Sequence, residues 1–201
     1  MVEYIYYMSL NYGGMEVFLA DTTGKVNLLS GSQPQLDGLK LSENGKKAAY
    51  LDTDANTGDT ILVEIELGKE KAETVATNVQ SFGYIGNTLI YYFDYAEGVG
   101  TLGAAGSKTT IANASGVQFT EDAVYYVADA DAATGNGELR AWDGKTETAI
   151  AKDVFAFQYK ENGKLVYIGK YDVNAGVGDL YYYDGKKARK LDTGITAIFI
   201  Y

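Results

Sequence analysis

The sequence predicts an all-β protein assembled from a repeated unit of four short antiparallel strands. Three observations carry this. Runs of Tyr, Val and Ile at strand length recur down the whole chain, and such residues suit a pleated, half-buried surface. Between the runs stand Gly, Asp and Asn, the residues of tight turns; 24 of the 201 residues are Gly and one is Pro. No stretch sustains apolar residues at spacings of three and four, so essentially no helix is expected.

The repeat is clearest at the end of the chain, where residues 164–171, 179–184 and 188–192 read as strands between Gly-rich turns. A further run, 195–201, follows them. Working back, equivalent apolar residues of the second strand are Val17, Val63, Leu102, Leu139 and Leu180. They define five repeats, residues 2–43, 44–85, 86–121, 122–161 and 162–201. A period near forty is that of propeller blades and other repeat folds.

Each repeat opens on an aromatic-rich strand, for example Leu89-Ile90-Tyr91-Tyr92-Phe93 or Val124-Tyr125-Tyr126-Val127. A Gly/Asp/Asn loop and the second strand follow. Asp143-Gly144-Lys145 and Asp184-Gly185-Lys186 are hairpin turns leading to a more polar third strand. The fourth run carries Leu41, Phe82, Phe119, Phe157 or Ile198 at matched places. Residues 64–76 have the charge density of a helix, but Gly68 in their middle and the repeat register predict strand, turn, strand.

The segment K-L-S-E-N-G-K-K-A-A-Y-L, residues 40–51, resembles the blade junction of TolB-type β-propellers, where an inner strand ends in S-P-D-G-K and the next begins I-A-Y. F-Q-Y-K-E-N-G-K-L-V-Y, residues 157–167, resembles it again, and both lack the Pro and Trp usual there. The repeats are also similar to Tyr-rich repeats of surface-anchored, uncharacterised proteins of Gram-positive gut bacteria. The resemblance implies that each fourth run is the innermost strand of the next blade. The expectation is then a single domain, 1–201, of five four-stranded blades, with residues 195–201 completing the first blade beside Tyr4. Such closure removes exposed sheet edges.

Composition narrows function. The formal net charge is −10 with a pI near 4.5, which repels phosphate backbones and anionic membrane surfaces. Nucleic-acid binding and membrane insertion are therefore not expected, and no apolar run is long enough to span a bilayer. The chain contains no Cys and no His, which removes thiolate chemistry, the usual general base and the commonest transition-metal ligand. Met1-Val2-Glu3-Tyr4 runs straight into a β-type segment without a leader. Either a cytoplasmic protein or a domain of a longer, exported chain is expected, the second at the cell surface.

The motifs divide into turn chemistry and candidate sites. Gly98-Val99-Gly100-Thr101-Leu102-Gly103 matches a dinucleotide fingerprint, but no helix follows, and Gly135-Asn136-Gly137 and Gly176-Val177-Gly178 recur at the same place. A repeated hairpin loop explains all three. Asp52, Asp54 and Asn56 alternate as at the start of a calcium loop, although the Gly falls one place late and no bidentate Glu follows. Asp and Asn also favour turns for local reasons. No cofactor is required, and calcium is the one metal the spacing suggests.

In the first loop of several repeats Tyr stands beside a polar oxygen, as in Asn11-Tyr12, Asp94-Tyr95 and Tyr171-Asp172. Aromatic rings beside carboxylates suit sugars. The candidate ligand-binding residues are Tyr12, Asp54, Tyr95, Asp131 and Tyr171, on loops that equivalent positions would bring to one face. No carboxylate pair stands out from the repeat. The expectation is a monomeric, non-enzymatic binding module for a glycan or protein. A glycoside-directed hydrolase or lyase and a structural or engineered propeller are the competing readings.

Overall fold

The computed structural model describes residues 4–11, 14–21, 26–29, 35–69 and 72–199. The described residues form seventeen β-strands and no helix. The chain divides into two compact units, one of residues 1–95 with 103–108 and one of residues 96–102 with 109–201.

The first unit contains β1 (Tyr4–Asn11), β2 (Gly14–Asp21) and β3 (Val26–Leu29), an antiparallel three-stranded sheet. A four-stranded antiparallel sheet follows: β4 (Gln35–Leu41), β5 (Lys47–Thr53), β6 (Thr60–Glu66) and β7 (Ala72–Thr77). The described residues of 64–76 are strand, turn, strand, with Gly68 at φ 91 in the turn. Next comes the hairpin of β8 (Val79–Ile85) and β9 (Thr88–Ala96), in register from Ile85↔Thr88. The strand β10 (Val99–Ala104) is divided between the units.

In β5 successive residues are buried on both faces. Ala48 and Tyr50 pack with Leu19, Val63 and Ile65, while Ala49 on the opposite face packs with Leu62, Val79, Phe82 and Leu89. A strand covered on both faces loses the usual in–out alternation, and the small Ala48 and Ala49 let the sheets approach.

The second unit is one meander: β11 (Thr110–Phe119), β12 (Val124–Ala128), β13 (Gly137–Trp142), β14 (Glu147–Glu161), β15 (Lys164–Asp172), β16 (Val177–Tyr183) and β17 (Ala188–Ile195). Each pairs antiparallel with the next. The third and fourth runs of the fourth repeat are fused into β14. Its first half pairs with β13, its second half with β15, and Val154 is paired on both sides. Asp153, at φ 54, marks the break. Tyr125, Val127, Leu139, Val154, Phe157, Leu165 and Tyr167 form the buried cluster.

The fourth runs do pair forward, β4 with β5, β8 with β9, β11 with β12 and β14 with β15. The closing strand is a correction. Strand β17 extends to Ile195, residues 196–199 are irregular, and 200–201 lie outside the described residues. Among the described residues β17 pairs with β16 alone, β1 pairs with β2 alone, and the sheet is not closed. Ile195 is spent on Gly178, so the run begins too late to be a full strand.

Candidate functional site

The loops after β5, β12 and β15 share one construction. Asp54, Asp131 and Asp172 are equivalent. Gly58, Gly135 and Gly176 each donate N–H to the Asp carbonyl four residues back, at 2.8, 2.7 and 2.8 Å. The Asp54 Oδ1 accepts from the N–H groups of Asn56 and Thr57 at 2.8 and 3.2 Å. Asp131 Oδ1 accepts from the N–H groups of Ala133 and Thr134 at 3.1 and 2.9 Å, and from the Thr134 hydroxyl. These bonds hold both carboxyls below the ordinary Asp range, the Thr57 and Asn56 or Thr134 N–H groups favouring the charged form. Local capping thus accounts for the calcium-like spacing. Asp52 is buried, its Oδ1 accepting from the Thr53 N–H at 2.8 Å. Among the described residues no three acidic side chains stand close enough to hold a metal.

The glycine pairs have separate causes. Gly135 and Gly176 take φ of 70° and 69° at the turn. Gly137 and Gly178 open the second strand where it meets the first; a Cβ on Gly137 would stand 2.4 Å from the Ala128 carbonyl oxygen. No phosphate-binding role is needed to explain them.

Asp54 and Tyr95 belong to the first unit, Asp131 and Tyr171 to the second; Tyr12 lies outside the described residues. Tyr95 is exposed and meets Tyr92 edge-on, with centroids 5.9 Å apart. In the second unit the structure ties two predicted residues together. The Asn136 side chain, at the end of the Asp131 loop, donates from Nδ2 to the Tyr171 carbonyl at 2.9 Å. Its Oδ1 accepts from the Tyr171 N–H at 3.2 Å. This amide strap copies a β-bridge with a side chain. Phe155 stacks on Tyr171, with centroids 3.9 Å apart and planes 9° from parallel. One edge of the Phe155 ring fills the space beside Gly135, where a Cβ would be 3.0 Å away.

Gly135 also belongs to the wall of an open groove of about 760 Å³, lined by Glu97, Val99, Asn113, Ser115, Asp129 and Asp131 among others. Sequence reasoning missed Phe155, Asn136 and Glu97. For Phe155 a signal existed. Asn78, Asn113 and Asp153 are equivalent left-handed residues, and two places on stand Gln80, Ser115 and Phe155. The aromatic breaks the repeat.

Other charged clusters are internally matched. Lys47 pairs with Glu64 at 2.7 Å, and Glu64 also accepts from the Tyr84 hydroxyl at 2.8 Å. Arg140 pairs with Glu138 and Glu147.

No family model matches the chain, and no curated protein does. Solved structures do. The β-propeller domain of the Trilobed protease from Pyrococcus furiosus aligns with 94% of this chain and 67% of its own, at 13% identity and a TM-score of 0.57. The tricorn protease aligns over 98% of this chain and 26% of its own, at 12% identity and a TM-score of 0.51. TolB from Acinetobacter baumannii aligns over 95% and 52%, at 12% identity and a TM-score of 0.44. The chain thus spans 26% of the tricorn protease and 52% of TolB. At such identity the likeness to the first two establishes the β-propeller fold and nothing of activity. The similarity to Tyr-rich surface repeats gains no support from these matches.

Proposed function

We propose that this propeller is a non-enzymatic binding module, the exposed domain of a bacterial surface protein, taking a glycan or protein ligand on its first-loop rim. The observation that supports this most is the Phe155–Tyr171 stack, strapped by Asn136 beside a groove that carries Asp131. A partly exposed aromatic pair carried on neighbouring strands beside a loop is a form binding sites take on repeat scaffolds. In the same reading the chain is one five-bladed domain, Tyr12, Asp54 and Tyr95 serve equivalent rims, and the protein acts as a monomer. Stacking of about 1 kcal/mol per contact gives weak affinity per site, so several loops or several copies would act together.

Glycan and peptide arrays probed with the pure chain, with and without calcium, test the proposal. Binding that is calcium-independent, weakened by Tyr171→Ala and accompanied by no change in the ligand is the expected outcome. Turnover of any array compound would instead require the hydrolase or lyase reading.

A further inference from the structure

The identity of the ligand can be taken one step further, resting on the binding-module reading. Positions that follow a repeat answer to folding; those that break it need another cause. Around Tyr171 three break it. Phe155, 38% exposed, stands where Gln80 and Ser115 stand. Asn136, the strap, stands where the loops after β5 and β15 have Asp59 and Val177. Lys170 takes φ 53, the left-handed conformation that Asp94 and Asp129 take at its equivalents; Asp tolerates it better than Lys, and such strain gathers at functional positions.

The three departures converge on one object, a flat aromatic pair whose Tyr171 backbone is strapped by Asn136. Flat aromatic faces complement the C–H faces of pyranose rings. The adjoining groove supplies what hydroxyls require: the carboxylates of Glu97, Asp129 and Asp131 as acceptors, the Ser115 oxygen, whose own proton goes to the Val127 carbonyl, as a further acceptor, and the Asn113 amide, which also donates to Asp129 at 3.3 Å, as a donor. It is open, with a volume of about 760 Å³. Among the described residues its lining includes three carboxylates and no Lys or Arg, so an anionic sugar seated in the groove would meet a negative field.

We infer that this rim binds a chain of uncharged sugars, one ring stacked on the Phe155–Tyr171 pair and hydroxyls directed to the groove carboxylates, and that it rejects uronic-acid and sulfated chains.

Native affinity electrophoresis of the whole chain tests this, in gels holding xylan, mannan, soluble cellulose derivatives without charge, polygalacturonate or alginate. At least one uncharged polymer should retard the wild type, and neither acidic polymer should. Phe155→Ser, which installs the residue of a sister repeat, and Tyr171→Ala should each weaken retention about five- to tenfold. Phe155→Tyr should retain it, and all three should melt within a few degrees of the wild type. Retention untouched by Phe155→Ser, or retention by acidic polymers alone, overturns the inference. A peptide held by the wild type and lost on Phe155→Ser, with no polysaccharide bound, overturns the sugar assignment and leaves the binding-module reading standing. Nothing bound on either set defeats both.

Discussion

Gly137 shows how closely the strands of one sheet approach. The Cβ of any other residue there would meet the Ala128 carbonyl at 2.4 Å and Val127 Cγ1 at 2.6 Å, and backbone cannot yield as a side chain does. Gly137→Ala is expected to destabilise by about 1–3 kcal/mol, the range for overpacking; an unchanged urea midpoint would contradict this. Asn136→Ala removes two hydrogen bonds to the Tyr171 backbone and should cost about 1–3 kcal/mol, with faster amide exchange at Tyr171. The capping carboxylates give an acid limb to stability. Asp54, Asp131, Asp143 and Asp184 are all held below the usual Asp value, in each case chiefly by backbone N–H groups. A depressed folded value means their contribution is present above the unfolded value, about 3.9, and is lost as pH falls through the folded one. The melting temperature should therefore fall below about pH 4, and less steeply for Asp131→Asn. These groups are exposed, so each effect is small.

Among the elements, β14 carries the most information. Fifteen residues serve two partner strands of one sheet, and the change of partner is made at left-handed Asp153. Asp153→Val should destabilise by about 1–2 kcal/mol, the penalty of that conformation for a branched residue, while Asp153→Gly should not; equal melting of the two variants would show that Asp153 is not the hinge. The aromatic strands set the alkaline limb. Burial raises Tyr92 and Tyr125 to about 12, and raises Tyr84 and Tyr126 further, with help from Glu64 and Glu147. A raised value stabilises the fold below the unfolded value near 10 and is lost as pH climbs through the folded one. Unfolding should thus accompany the late phase of phenolate titration. Strand positions were legible because Tyr/Val/Ile runs and Gly turns are local signals. The fusion of two runs into β14 was not, since it depends on which partners flank it. The run at 195–201 looked like a strand because Ile, Phe and Tyr favour one, but strands need a partner edge, and Ile195 already pairs with Gly178.

For the whole molecule, the repeat announced the propeller because every copy restates the same turn and core positions. The site announced itself less well. Asp131 and Tyr171 were expected on loops, though Tyr171 lies near the end of strand β15; Phe155 lies in a strand and Asn136 in a Gly-Asn-Gly turn, and only tertiary pairing brings them to Tyr171. Removing 196–201 tests the open pairing: among the described residues no strand partner is lost, so the truncated chain should stay monomeric with an unchanged melting temperature. Aggregation, or earlier melting by several kcal/mol of lost burial, would show instead that the run completes the first blade. The central claim, that this propeller binds at its repeat-breaking rim without making or breaking bonds, is tested most directly by hydrogen exchange with and without the ligand the arrays return. Slowed exchange confined to residues 97–99, 113–115, 129–136, 153–157 and 170–176 is expected, with the ligand recovered intact. Protection elsewhere alone, or a ligand recovered as products, would contradict it.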